Sequence, residues 1–483
     1  RFGCLGKQAV AGTMSVCRLN DRNSGYYADG ITVGDSTPAN LDSSEGDVFV
    51  YEPEYWYKGV NDILGAFSDG IGKNEDMPDK PDVDVLTLED IKAAGGYNEG
   101  YKITTGKTNV VDATSADSSY SICKVDVSGY RYVRFPSVLG TGLVGAVMAD
   151  ANDTVVKDAL VETLDAKFVN GMYVIIAVPD NAKMLYFSIH KNAEFDCVVL
   201  SNSDKVEDME PDWVKHEECL VGMYEATAIN GKLYSASNGS TAVNNLPQID
   251  LKNYASARNL QLIDWEMHKD VANLFFAKYG RRDAQEQCGF GRHSIDRIVG
   301  SSAFLGMTDT VNIEGNTEYA WYYDDEGKPV RIDCTRCLDY ENLWGNVGEF
   351  MDKVGIPNTS SAEYLKFLIT MPDGSTRKVL SIGGSNRYVK AVYHQKYMDT
   401  IVVSAGNGTK TTFYADAQHI NNAVNRVVSR SAHYALPDGG ILYINATLDP
   451  LYSSGFHGTR LAFRGKIEVI DDVDTYKSLK AIY

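Results

Sequence analysis

The stretch from Leu262 to Gly280 repeats apolar residues at three- and four-residue spacing and stops on a glycine, the pattern of a helix laid on a sheet. A second stretch, Asn342 to Val354, reads as a shorter helix. Its Trp344, Phe350 and Met351 face a core, and Glu341 and Asn342 tie loops to its start, where an acidic group meets the helix dipole favourably. Short strand-forming runs and long loops surround both. Leu220–Ala226 and Lys232–Ser235 flank Asn230-Gly231, a strong hairpin signal. Asp47–Lys58 alternates well enough for a strand, with a bend or bulge at Pro53. Two helices on short antiparallel strands with long loops predict an α+β fold.

Residues 99–200 read differently. Tyr130–Phe135, Gly142–Met148, Tyr173–Val178 and Met184–Ile189 are short strand-like runs separated by turn residues, the signature of an all-β sandwich or jelly roll. Residues 63–98 are acidic, contain Met77-Pro78-Asp79-Lys80-Pro81, and read as a linker. It carries one short helix, Thr87–Lys92, with a capping-box start and Gly95-Gly96 as the stop. The domain plan is a first piece over 1–62, the linker 63–98, an inserted β-sandwich over 99–200, a linker over 201–215, and a main piece over 216–483 that completes the fold begun by 1–62.

A chain of 483 residues accommodates several packed cores, and its 44% hydrophobic and 23% charged content is that of a globular protein. The net charge of −19 argues against a nucleic-acid binder, which needs a basic footprint. No run reaches the ~18 apolar residues of a membrane-spanning helix, so membrane insertion is not expected. The opening Arg1-Phe2-Gly3 has no leader pattern, which a trimmed chain would have lost. Cys334-Thr335-Arg336-Cys337 is the only CxxC among eight scattered cysteines, and a structural zinc site wants a second pair or two histidines. No metal and no cofactor is expected. Thirty tyrosines suit a recognition surface, since tyrosine offers area, few rotors and a polar tip, and equally suit a β-rich protein.

Glu341-Asn342-Leu343-Trp344-Gly345-Asn346-Val347-Gly348-Glu349-Phe350-Met351-Asp352 is followed by Gly439-Gly440-Ile441-Leu442-Tyr443 and by Gly458-Thr459-Arg460-Leu461-Ala462-Phe463. This series resembles the receptor-binding proteins with a C-type-lectin fold found at phage tail-fibre tips. The family includes the variable proteins of diversity-generating retroelements, and the formylglycine-generating enzymes are distant relatives. Tyr55-Trp56-Tyr57-Lys58, Ala284-Gln285 and Gly289-Phe290-Gly291 fall in the family's order, so the resemblance covers 1–62 and 216–467. The run at 178–189 is similar to the carbohydrate-binding-like sandwiches inserted into phage fibres.

The resemblance implies a C-type-lectin fold with a variable-type region over 383–467 and a displayed binding face. Carried over residue by residue, that face holds Arg387, Tyr388, Tyr393 and His394 in its first segment. Its second segment holds His433, Tyr434, Leu436, Tyr443, Asn445, Thr447, Leu448, Tyr452, Ser454, Phe456 and His457. The fixed frame is Arg426, Gly440, Ile441, Gly458, Arg460 and Phe463. Arg430-Ser431-Ala432-His433 departs from the family's R-G-G-x-W, which puts the local loop shape in doubt. From Gly383 to Ile467 nine Lys/Arg stand against four Asp/Glu, a basic and aromatic segment suited to an anionic or glycan-bearing surface.

The implied function is a receptor-binding adhesin at a phage tail-fibre tip in the virion. It would be homotrimeric, joined to other tail-fibre proteins, and would recognise a bacterial surface receptor, either a glycan or an outer-membrane protein. A bacterial cell-surface or pilus-tip adhesin is the alternative. A glycan-active enzyme is the lesser reading. The last cysteine is Cys337, ahead of the closing half of the fold, and no Gly-x-Ser-x-Gly, His-Glu-x-x-His or Walker loop occurs.

Overall fold

The computed structural model of the chain describes residues 1–62, 65–72, 83–104, 106–136, 145–158, 167–169, 173–190, 198–202, 214–289, 291, 305–309, 320–323, 329–332, 334–356, 364–382, 384–392, 400, 402–406, 416–420, 425–433 and 439–483. Strands dominate it. The six helices among these residues are short, and the longest is Trp265–Tyr279.

Asp47–Glu52 is apolar at alternate and at adjacent positions, so both its faces need cover, and it lies inside an eight-stranded sheet. Phe2–Val10 and Cys219–Glu225 pair with it antiparallel on either side. Every residue of Cys219–Glu225 is buried. The sheet continues outward through Thr13–Asn20 and Asn23–Tyr27 on one side, and through Arg460–Phe463 and Gln261–Leu262 on the other. Lys466–Val469 joins Thr13–Asn20 in parallel. At Pro53, which has no amide hydrogen for a ladder, the chain leaves this sheet. Tyr55–Asp62 then enters a separate three-stranded sheet between Val214–His216 and Gly65–Gly72.

The helix at 265–279 forms as its sequence dictates. Asp264 caps it, accepting from Met267 N at 2.9 Å, and Gly280 closes it in the left-handed region at φ 59°. Its buried side carries Trp265, Phe275 and Phe276. Phe275 meets Trp344 edge-on at 6.4 Å, and Trp265 lies 6.1 Å from Phe367 of the next sheet. The hairpin over Asn230-Gly231 also forms, with φ 51° and 73° at the two turn residues.

The α+β C-type-lectin arrangement does not form; the chain is mostly β, built from several sheets. The expected second helix is where the two part. Asn342, Gly345 and Asn346 take φ of 52°, 81° and 56°, and such left-handed residues break a right-handed helical ladder. From Gly348 to Ile356 the chain is extended, with an irregularity between Phe350 and Gly355 and Lys353 at φ 56°. This strand sits in a nine-stranded sheet between Tyr364–Thr370 and Arg426–Arg430, with His457–Gly458 parallel to its start. Consecutive Phe350 and Met351 point to opposite faces, and both faces are covered.

The segment expected to be a linker over 63–98 carries ordered structure. Gly65–Gly72 is a strand of the three-stranded sheet, and Val83–Leu86 pairs with Val198–Ser201. The Thr87 capping box forms: Thr87 Oγ1 accepts from Asp90 N, and the Asp90 carboxylate accepts from Thr87 N at 2.8 Å. Two five-stranded sheets draw on residues between 83 and 201 alone and share a core of Val133, Phe135, Ile176, Leu185, Phe187 and Val198. Both sheets are antiparallel, and Met184–His190 pairs with the sequence-distant Thr114–Asp126 and Ala146–Ala149, as in a sandwich.

Candidate functional site

The closing motifs of the sequence meet around one buried cation. The Arg460 guanidinium is fully buried, and its Nε donates to Glu349 Oε1 at 2.8 Å. Nη1 donates to the carbonyls of Gly222 and Met223, each at 2.9 Å, and Nη2 to those of Glu341 and Asn342 at 2.8 and 3.0 Å. One side chain therefore ties both large sheets to the Glu341–Asn346 turn. Glu341 ties in another loop, accepting from Gly306 N, Thr308 N and Thr308 Oγ1 at 2.8–2.9 Å. Burial, reinforced by Asp309, pushes its carboxyl up to about 7. Glu225 accepts from Asn346 Nδ2 and from Val347 N, and burial carries it up to about 8 against the pull of Arg460. Asp416 braces the Gly440–Leu442 turn by accepting both backbone amides.

On this frame stands the loop from Asp449 to His457. Asp449 Oδ1 accepts from Leu451 N at 3.0 Å, Ser454 O accepts from Asn245 N at 2.9 Å, and Phe456 O accepts from Gly348 N at 2.8 Å. The first bond shapes the loop from within, and the other two tie its middle and end to neighbouring segments. His457 is its inner anchor: the ring stacks on Phe350 at 5.3 Å, and Nδ1 lies 3.1 Å from Ser454 Oγ. Burial, with His433 adding to it, drives the imidazole down to about 3, so the ring is neutral. Outward from it the rings continue, with Tyr452 at 5.6 Å, His433 at 5.7 Å, and Phe456 at 4.6 Å from His433. Tyr452 and Leu451 are exposed, and His433, Ser454 and Phe456 half-buried. The result is a small aromatic and imidazole surface with hydroxyls at its rim. Such a surface can stack on a flat apolar ligand face and hydrogen-bond its edge.

Of the residues expected on the displayed face, the structure gathers His433, Tyr452, Ser454 and Phe456 at this loop, with Thr447 half-buried on the strand leading to it. Tyr443, Asn445, Leu448 and His457 are buried instead of displayed. The reason is positional. Ile444–Leu448 runs between Arg426–Arg430 and Ala417–Ile420, an interior strand covered on both faces, so alternation does not alternate exposure. Tyr388 is half-buried on Gly384–Val392, beyond Ala417–Ile420 and hence away from the loop, and Arg387 lies on the same strand. Tyr393, His394, Tyr434 and Leu436 lie outside the described residues.

The basic surface expected from 383–467 is diminished in the same way. Arg460 and Arg430 are interior. Arg430 donates to Leu442 O and to Thr400 O and Oγ1 while lying 4.2 Å over the Trp265 ring. Arg464 forks onto Asp264. Of the expected frame, Gly440, Ile441, Gly458, Arg460 and Phe463 are buried as a frame must be, and Arg426 is half-buried. Sequence reasoning gave no hint of one further group. His216 Nδ1 lies 2.6 Å from Asp270 Oδ2 beneath the Tyr55 ring, with Cys219 Sγ 3.9 Å from Nε2, all of it buried. Burial alone would lower the imidazole, but Asp270 outweighs it and raises the group to about 10. The pair fastens Val214–His216 to the long helix. The partners are brought together by folding, and no local spacing announces them.

No protein-family model and no curated protein matches the chain.

Proposed function

We propose that the chain is a receptor-binding adhesin whose contact surface is the Asp449–His457 loop together with His433. One observation carries this. Half-exposed and exposed rings are set on a short loop that is tied at Ser454 to Asn245 and at Phe456 and His457 to the buried, charge-locked frame at Gly348 and Phe350, which is how a binding surface is pre-organised at low entropic cost. The setting of a phage tail-fibre tip, with a bacterial surface glycan or outer-membrane protein as receptor and a homotrimeric assembly, rests on the Glu341–Asp352 and Gly439–Phe463 motifs and not on the fold.

The test is attachment of labelled protein to a panel of bacterial strains. Central aromatic anchors commonly cost more than about 2 kcal/mol each when truncated, roughly thirtyfold in affinity. The double variant Tyr452→Ala/Phe456→Ala is expected to lose attachment while keeping the parent melting temperature. Undiminished attachment by that variant would move recognition to another surface.

A further inference from the structure

A cavity of about 390 Å³ shares no lining residue with the loop and forms where the N-terminal strands, the Ser43–Asp47 turn, the Asn230-Gly231 hairpin and the C-terminal segment converge. We propose that it is a second binding site, for an uncharged saccharide unit. The volume is that of a small-molecule site. Its walls are not a random patch of surface, because each charged group in them already has a partner within the protein.

Arg258 forks onto Asp47, Nη1 to Oδ1 at 3.0 Å and Nη2 to Oδ2 at 2.6 Å, and also donates to Leu233 O at 2.6 Å. Lys7 Nζ donates to Leu479 O at 3.2 Å and lies 4.3 Å over the Tyr476 ring. Glu45 accepts from Tyr27 OH at 2.9 Å and pairs with Lys477 at 3.2 Å. Two cations and two anions line the cavity, and they balance. Arg258, Asp47 and Glu45 are already ion-paired, so a charged ligand finds only Lys7, itself held by a carbonyl and a ring, to offset its desolvation. An uncharged one meets no such cost.

What remains for a ligand is of two kinds. Met14, Ile229, Leu260 and Leu479 give an apolar wall. The hydroxyls of Ser43 and Tyr234 make no hydrogen bond among the described residues, and the exposed Ser44, whose side chain bonds Asp42, lies at the rim. Tyr234 is itself held still, since Arg258 lies 4.0 Å over its ring. An apolar wall, a fixed tyrosine ring and unengaged hydroxyls, with no net charge, match a sugar ring, which has an apolar face and hydroxyls around its edge. The geometry is also actively maintained. Ser43 holds a left-handed φ of 80°, and a Cβ at Gly46 (φ 136°) would come 2.7 Å from both Gly6 O and Tyr476 OH. Backbone strain of this kind persists only where the surroundings impose it.

The experiment is saturation-transfer NMR on the full chain with glucose, galactose, mannose, N-acetylglucosamine and their β-linked disaccharides, and with N-acetylneuraminic acid as the charged comparison. At least one neutral sugar should give transfer. Ser44→Trp, which fills the cavity from an exposed turn, should weaken it at least about tenfold at unchanged melting temperature. Tyr234→Ala should do the same, while Tyr452→Ala/Phe456→Ala should leave it intact. Three results would each overturn the proposal: no transfer from any neutral sugar, preference for the anionic one, or parent-strength transfer in Ser44→Trp. Transfer abolished only by the Tyr452 and Phe456 changes would assign the sugar to the loop and leave the adhesin reading standing without this site.

Discussion

Replacing Arg460 by methionine tests whether one buried cation holds the two large sheets to the turn that carries the candidate surface. Methionine keeps much of the volume but strands the Glu349 carboxylate, itself fully buried, and the carbonyls of Gly222, Met223, Glu341 and Asn342. Breaking a buried ion pair from one side costs about 3–5 kcal/mol. Each buried carbonyl left without a donor adds about 1–3 kcal/mol where no water reaches it. These terms do not add linearly, yet even the lower end approaches the ~5–15 kcal/mol that holds a domain folded. Arg460→Met is therefore expected to lose more than about 4 kcal/mol in the unit that contains Trp265 and Trp344. Urea unfolding followed by tryptophan fluorescence and near-ultraviolet circular dichroism reads this. The sheets built from 83–201, which share no bond with Arg460, should retain their own transition. Adding Glu349→Leu removes the stranded charge and should recover about 2 kcal/mol or more. A loss below about 1 kcal/mol in the single variant, or no recovery in the double, would refute the reasoning.

Stability should also fall as pH rises across neutrality. Glu225 is raised to about 8, and Glu341 and Asp416 to about 7, all by burial, so the folded state holds protons that the unfolded chain releases near pH 4. Their contribution is complete below that value and is lost as pH climbs through 7–8. His216, raised to about 10, loses its share higher still. Melting temperatures at pH 5.5 and 8.5 check this, and a higher value at pH 8.5 would contradict it. Gly458→Ala should destabilise by about 1–3 kcal/mol, since the added Cβ would stand 2.3 Å from Val243 O. Thermal unfolding showing no change would mean that the backbone yields there.

Local chemistry was legible where a residue acts on its neighbours in sequence. Gly280 ends the long helix, Thr87 and Asp90 form their box, and Asn230-Gly231 turns its hairpin, because caps and turns are settled within four residues. The Asn342–Val354 segment misled because apolar residues three or four apart also occur in a strand covered on both faces, and the left-handed residues that decide between them are two asparagines, a glycine and a lysine that helices also hold. The candidate site was legible as a region but not as a surface. Which of Tyr443, Asn445, Leu448, Tyr452 and Phe456 face outward depends on Ile444–Leu448 being an interior strand, set by partners at 417–420 and 426–430. Arg460 meeting Glu349, or His216 meeting Asp270, is likewise fixed only by the finished fold.

The pairing of Thr13–Asn20 with Lys466–Val469 has a consequence for biogenesis. Val16 is made roughly 450 residues before its partner Val469, and a shorter wait of roughly 170 residues separates Asp47–Glu52 from Cys219–Glu225. The strands between 83 and 201 find their partners within their own segment and can close while synthesis continues. The first hairpin meanwhile sits with an open edge, the state in which nascent chains stick to one another. Expression at low temperature, or with a chaperone that shields strand edges, bears on yield through this interval rather than through the stability of the finished molecule.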